Sequence, residues 1–158
     1  MDPGAVPDDA ILLLDTTVYI DGMKQAGLPD AIQALLANHV IRHSALCVAE
    51  LSFGFGHLDP SHHDTGRNRS AIAAVLDRFA PDEFVHLSPQ GWAKAGVLAG
   101  SLARMQGFAK DDCRTLLIDA ALFVTAQELG LTLVSGNLTD MDLLSRVGGE
   151  AGLLLYGL

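Results

Sequence analysis

Short apolar runs alternate with helix-length segments along the whole chain, and this alternation limits the fold more than any other feature. ILLL (residues 11–14), VIRHS (40–44), EFVHL (83–87), LTLVS (131–135) and GLLLY (152–156) read as strands. Helical patterning follows residue 15, breaks at GLPD, and resumes over 30–37, 45–55, 70–79, 92–105, 114–129 and 137–147. Pro29 suits the start of the second of these helices, Ser88-Pro89 opens a later one, and Gly130 closes the long apolar one. Strands separated by helices imply a parallel sheet with helices on both faces. The expected fold is therefore α/β, a three-layer sandwich around a five-stranded parallel sheet. A chain of 158 residues suits one domain with a core of its own. Residues 1–10 are expected as a flexible N-terminal arm and 11–158 as the single domain.

Composition narrows the function classes. The formal net charge of −9 argues against a broad, nonspecific grip on nucleic acid, which relies on Lys and Arg. It suits a bound cation or a basic protein partner. Two cysteines, Cys47 and Cys113, do not make a disulfide framework, and they fit a reduced, cytoplasmic setting. The acidic, proline-bearing start does not resemble a signal peptide, and no apolar run approaches the ~20 residues needed to cross a bilayer.

The first strand then poses a problem, because a run that is dry on both faces ends on a carboxylate, Asp15. In open parallel sheets the ligand crevice lies at the carboxyl ends of the strands, so Asp15 falls on that rim. Glu50 falls early in the helix after the second strand, Asp119 early in the helix before the fourth, and Asp140 just past the fourth. All four belong to one edge of the sheet. Glu50 has Leu46, Cys47, Phe53 and Gly54 as helical neighbours, and Asp119 has Thr115, Leu116, Leu122 and Phe123. Carboxylates that interrupt largely apolar stripes cost several kcal/mol unless paired, and a shared hard cation, Mg²⁺ or Mn²⁺, relieves that cost. Simpler readings stand beside this one. Asp15 also suits a helix cap, Asp140 stands three residues after Asn137 as in a capping box, and Asp142 is explained by Thr139.

At these residues the chain resembles the PIN-domain family, and within it the VapC-type toxins of bacterial toxin–antitoxin pairs. The stretches that carry the likeness are LLLDTTVYID, SALCVAELSFG and LLIDAALFVTAQELGLTLVSGNLTDMDLL. The resemblance implies Mg²⁺- or Mn²⁺-dependent cleavage of RNA leaving 5′-phosphate and 3′-hydroxyl ends. Asp15, Glu50, Asp119 and Asp140 would be the catalytic and metal-binding acids, holding one or two ions. Thr17, Ser135 and Asn137 would fix those carboxylates. The resemblance also implies a homodimer and a cognate antitoxin, whose basic tail would suit the acidic crevice. Three positions depart from the family pattern: Thr17 where Asn or Ser is common, Gly136 where Arg is common, and Met141 where Phe is common. A catalytically silent binding module of the same fold is the alternative. A phospho-receiver or phosphatase is disfavoured, because Thr17 stands where a phosphatase motif wants a second Asp.

Other signals carry less. His57, His62 and His63 read as a solvated loop, because zinc sites usually need four well-spaced ligands. Arg67 and Arg69 read as a solvated helix start. Ala93, Gly96, Gly100 and Ala103 recur at helical spacing and suggest a close helix contact. Asp111 and Asp112 are expected to precede or cap the long helix.

Overall fold

The computed structural model describes residues 2–107 and 112–157, without the side chains of Asp112 and Arg114. Asp111 lies outside the described residues. Five strands form one sheet: β1 (Ile11–Leu14), β2 (Val40–Ser44), β3 (Phe84–Val85), β4 (Thr132–Ser135) and β5 (Gly152–Leu155). Their spatial order is β3-β2-β1-β4-β5, and every pairing is parallel. The helices are α1 (Thr16–Met23), α2 (Asp30–Asn38), α3 (Ala45–His57), α4 (Thr65–Leu76), α5 (Pro89–Gln106), α6 (Asp112–Leu129) and α7 (Leu138–Gly148).

Alternation along the strands builds the three expected layers. Leu13 and Leu133 face a core made with α3, α5, α6 and α7, whereas Leu12, Leu14, Val134 and Leu154 face a second core with α1 and α2. The middle of helix α6 is enclosed on all sides, with Ala120, Ala121, Leu122, Phe123 and Val124 at 0 % exposure. A helix apolar all round is stable only when covered in this way. Val6 joins the second core and His39 Nε2 bonds the Pro7 carbonyl at 3.1 Å, so the segment read as a flexible arm packs against the domain.

Element ends follow local chemistry. Ser44 caps α3 by accepting from the Leu46 N–H, and Ser88 caps α5 by accepting from the Gly91 N–H. Gly130, at φ +63°, takes the left-handed conformation that closes α6. Three expectations need correction. Helix α4 begins at Thr65, not 70, so the loop is only 58–64. Thr65 is buried with its hydroxyl on the Asp59 carbonyl, and tertiary packing overrides the weak propensities of Gly66 and Asn68. Strand β3 has two residues, not five. Glu83 belongs to a 3-10 turn (Pro81–Glu83), and β2 ends at Ser44 opposite Val85, leaving no partner for His86 and Leu87. Ala93, Gly96 and Gly100 face solvent, and α5 packs instead through Gly91, Ala95, Leu98, Ala99 and Leu102.

The two faces of α5 and α6 should differ sharply on truncation. Phe123→Ala, in the closed core, should cost about 3–5 kcal/mol in urea unfolding. Val97→Ala, at a position 71 % exposed, should stay within about 0.5 kcal/mol.

Candidate active site

Strand order reverses between β1 and β4, the point at which open α/β sheets place their ligands. Asp15 stands at the end of β1 and Ser135 at the end of β4, so the two meet there. Ser135 Oγ donates to Asp15 Oδ2 at 2.6 Å, and Thr17 Oγ1 donates to the same oxygen at 2.7 Å. The other oxygen, Oδ1, accepts from the Thr16 N–H at 2.6 Å and caps α1. Asp15 is thus both helix cap and rim carboxylate, and at 2 % exposure its partners hold it in one orientation.

The 135–137 turn ties the remaining acids together. The Asn137 N–H donates to Ser135 Oγ at 2.9 Å. Asn137 Nδ2 donates to Asp119 Oδ2 at 3.0 Å and to Asp140 Oδ2 at 2.9 Å, so one amide group spans both carboxylates. Asn137 also caps α7 by accepting from the Asp140 N–H. Glu50 reaches the cluster from α3, where Oε2 accepts from the Thr16 hydroxyl. The four acids and the three supporting residues read from the sequence therefore share one neighbourhood. Asp142 does not join it and pairs with Arg146 at 2.8 Å.

The crowding of the acids has an electrostatic consequence. Burial, then the charges of Asp15, Asp140 and Glu50 and a hydrogen bond with Asp140, push the Asp119 carboxyl up to about 8. Burial, with the Asp15 charge adding, also raises Glu50, while the Thr16 hydroxyl opposes the shift. Such a set is short of positive charge, and oxygen donors of this kind fit Mg²⁺ or Mn²⁺. Among the described residues, the one group of three His, Cys, Asp or Glu donors within 4.8 Å of one another is His62, His63 and Asp64, on the loop. The four acids are spread more widely than that.

Several residues of the site escaped the sequence reading. Thr16 holds Glu50, and Cys47, in the same stripe, donates Sγ–H to the Leu14 carbonyl at 3.3 Å. Burial raises this thiol to about 12. Phe53, expected to help bury Glu50, is 71 % exposed and stacks on His57, so Glu50 is half-buried on the wall of a groove with Thr16, Ile20 and Ile118. Behind the turn, Asp21 is buried against Lys24 and Tyr156. A doublet of threonines after Asp15 was a visible signal for Thr16. Nothing local marked Asp21 or Tyr156.

The raised Asp119 group has a stability consequence in protein kept free of divalent metal by a chelator. An acid whose folded pKa exceeds its unfolded value binds its proton more tightly in the native state. The resulting stabilisation is complete below the unfolded value of 3.8 and is lost as pH rises toward about 8. Urea unfolding should therefore show Asp119→Asn gaining on the wild type between pH 5 and pH 8; parallel profiles would contradict the crowding.

No family model matches the chain, and no curated protein matches it. Solved structures do. The chain is similar to one in DNA-bound VapBC from Salmonella typhimurium, at 20% identity and TM-score 0.61, covering 92% of this chain and 98% of that one. It is similar to one in FitAcB from Neisseria gonorrhoeae, at 17% identity and TM-score 0.60, covering 92% and 96%. A toxin–antitoxin complex from Klebsiella pneumoniae contributes a third, at 25% identity and TM-score 0.51, covering 93% and 99%. The fold is thus the PIN-type α/β fold that the motifs suggested, shared across nearly the full length of these chains.

Proposed function

We propose that the chain is the toxin of a toxin–antitoxin pair, a metal-dependent endoribonuclease. The observation that carries this reading is the meeting of Asp15, Glu50, Asp119 and Asp140 at the switch point, with Asp119 driven up by burial and by the other three. Asp15, Asp119 and Asp140, with Glu50, would hold one or two Mg²⁺ or Mn²⁺ ions. When bound, the metal would supply an acidified water and neutralise charge on the scissile phosphate during in-line displacement. The chain's residues do the rest. Ser135 and Thr17 fix Asp15, Asn137 keeps Asp119 and Asp140 at a set separation, and the Thr16 hydroxyl orients Glu50. Glu50, raised by burial, is suited to take a proton from the attacking water.

The partner follows from charge and shape. The structural relatives include VapBC assemblies and a toxin–antitoxin complex. Here Glu50 lines a groove with exposed Ile20 and Phe53, which would receive an antitoxin segment carrying apolar side chains and a basic tail. A homodimer and a cytoplasmic site of action belong to the same proposal. Among the described residues, no helix is long and apolar enough to cross a membrane. The exposed groove also favours a second reading, a silent module that acts only through its protein partner.

An RNA cleavage assay separates the two. With Mg²⁺ or Mn²⁺ the wild type should cut RNA, a chelator should stop it, and Asp15→Asn should lose on the order of 100-fold or more in rate. Metal-supplemented protein that binds a cognate antitoxin yet cuts no RNA would favour the silent module. Cleavage that persists in Asp15→Asn would place the activity elsewhere.

A further inference from the structure

The 135–137 turn touches three of the four acids from one side. On its other side lies a second buried network that takes no part in the proposed chemistry. Tyr156, just beyond β5, is bonded to the turn through its backbone, its N–H donating to the Ser135 carbonyl at 3.2 Å. Its phenol donates to Asp21 Oδ2 at 2.8 Å, and Lys24 Nζ donates to Asp21 Oδ1 at 2.6 Å. Asp21 and Tyr156 are each 6 % exposed. Gly136 is wedged between them and the site. A Cβ there would lie 3.1 Å from Asp21 Oδ2 and 3.2 Å from the Tyr156 ring. The Gly136 N–H donates to Thr17 Oγ1 at 2.9 Å, and that hydroxyl donates to Asp15 Oδ2.

A buried carboxylate is costly, and a buried polar pair kept only for stability could be replaced as a whole by well-packed apolar side chains at little loss. Asp21 instead fixes a phenol whose ring and backbone both bear on the turn. Side chains behind the ligands set ligand orientation, and their loss typically weakens metal binding by 10–100-fold. We infer that Tyr156 and Asp21 are positioning residues, whose hydrogen bond braces the 135–137 turn and so aims Asp15, Asp119 and Asp140 at a shared divalent cation. This rests on the metal-dependent reading above. It assigns a role to residues that none of the acidic motifs contains, and it explains glycine at 136, where any side chain would press on the brace.

Calorimetric titration with Mn²⁺ alone, paired with thermal melts, tests the assignment. Tyr156→Phe keeps the ring and the backbone bond but removes the phenol, and should weaken Mn²⁺ binding roughly tenfold. Asp21→Ala should do the same, and Asp21→Asn, which still offers an acceptor, should restore most of the affinity. Gly136→Ala displaces the turn directly and serves should Tyr156→Phe fail to fold. Thr125→Val, which strips a buried hydroxyl bonded only within α6, should lower the melting temperature and leave Mn²⁺ affinity unchanged. In RNA cleavage the brace variants should lose kcat with KM little changed. Tyr156→Phe that melts lower yet binds Mn²⁺ as the wild type does would make the pair merely structural and overturn the inference. A wild type with no Mn²⁺ affinity would overturn both the inference and the nuclease proposal.

Discussion

The hydrogen bond from Ser135 to Asp15 is the constraint on which the rest of the site depends. It joins the ends of two adjacent central strands whose residues are 120 positions apart in the chain. It fixes a carboxylate that would otherwise be a liability at the end of a dry strand. Its acceptor oxygen is shared with Thr17, and its donor oxygen in turn accepts from the Asn137 N–H. Through Asn137 the same line of bonds reaches Asp119 and Asp140. One small turn therefore orients acids that arrive from β1, α6 and α7. Buried networks of this kind hold a single geometry only when each polar group is satisfied.

That geometry gathers negative charge where water is scarce. A hydrophobic pocket alone would raise one acid. Here Asp119 is raised by burial and by three neighbouring acids together, so without a cation a proton on it is favoured. The native state stores this tension in a site and compensates for it with two well-packed cores. Departures from good local chemistry of this sort cluster at functional sites.

Much of this arrangement was legible in the sequence because it rests on local rules. The punctuation of strand, carboxylate and helix cap located Asp15 and Asn137, and helical spacing exposed Glu50 and Asp119 as intruders in apolar stripes. What stayed hidden has physical reasons. Asp21 and Tyr156 are 135 residues apart, and a long-range hydrogen bond leaves no periodic trace. Helix α5 is built of small residues on more than one side, so spacing alone could not say that Ala93, Gly96 and Gly100 face water. The true start of α4 depends on the Thr65–Asp59 contact, and the brevity of β3 on where β2 runs out of backbone. Both are facts about neighbours in space.

The distance along the chain between the two ends of the central bond has a bearing on biosynthesis. Asp15 emerges from the ribosome 120 residues before its partner Ser135, and the Asn137 amide and Asp140 follow later still. Chains fold as they are made, N-terminal parts first, at about 5–20 residues per second. Until then Asp15 has β2 beside its strand and, of the partners described, only the Thr16 N–H and the Thr17 hydroxyl to hold it. The acids of the site can therefore be gathered only after β4 and the turn that follows it have been made.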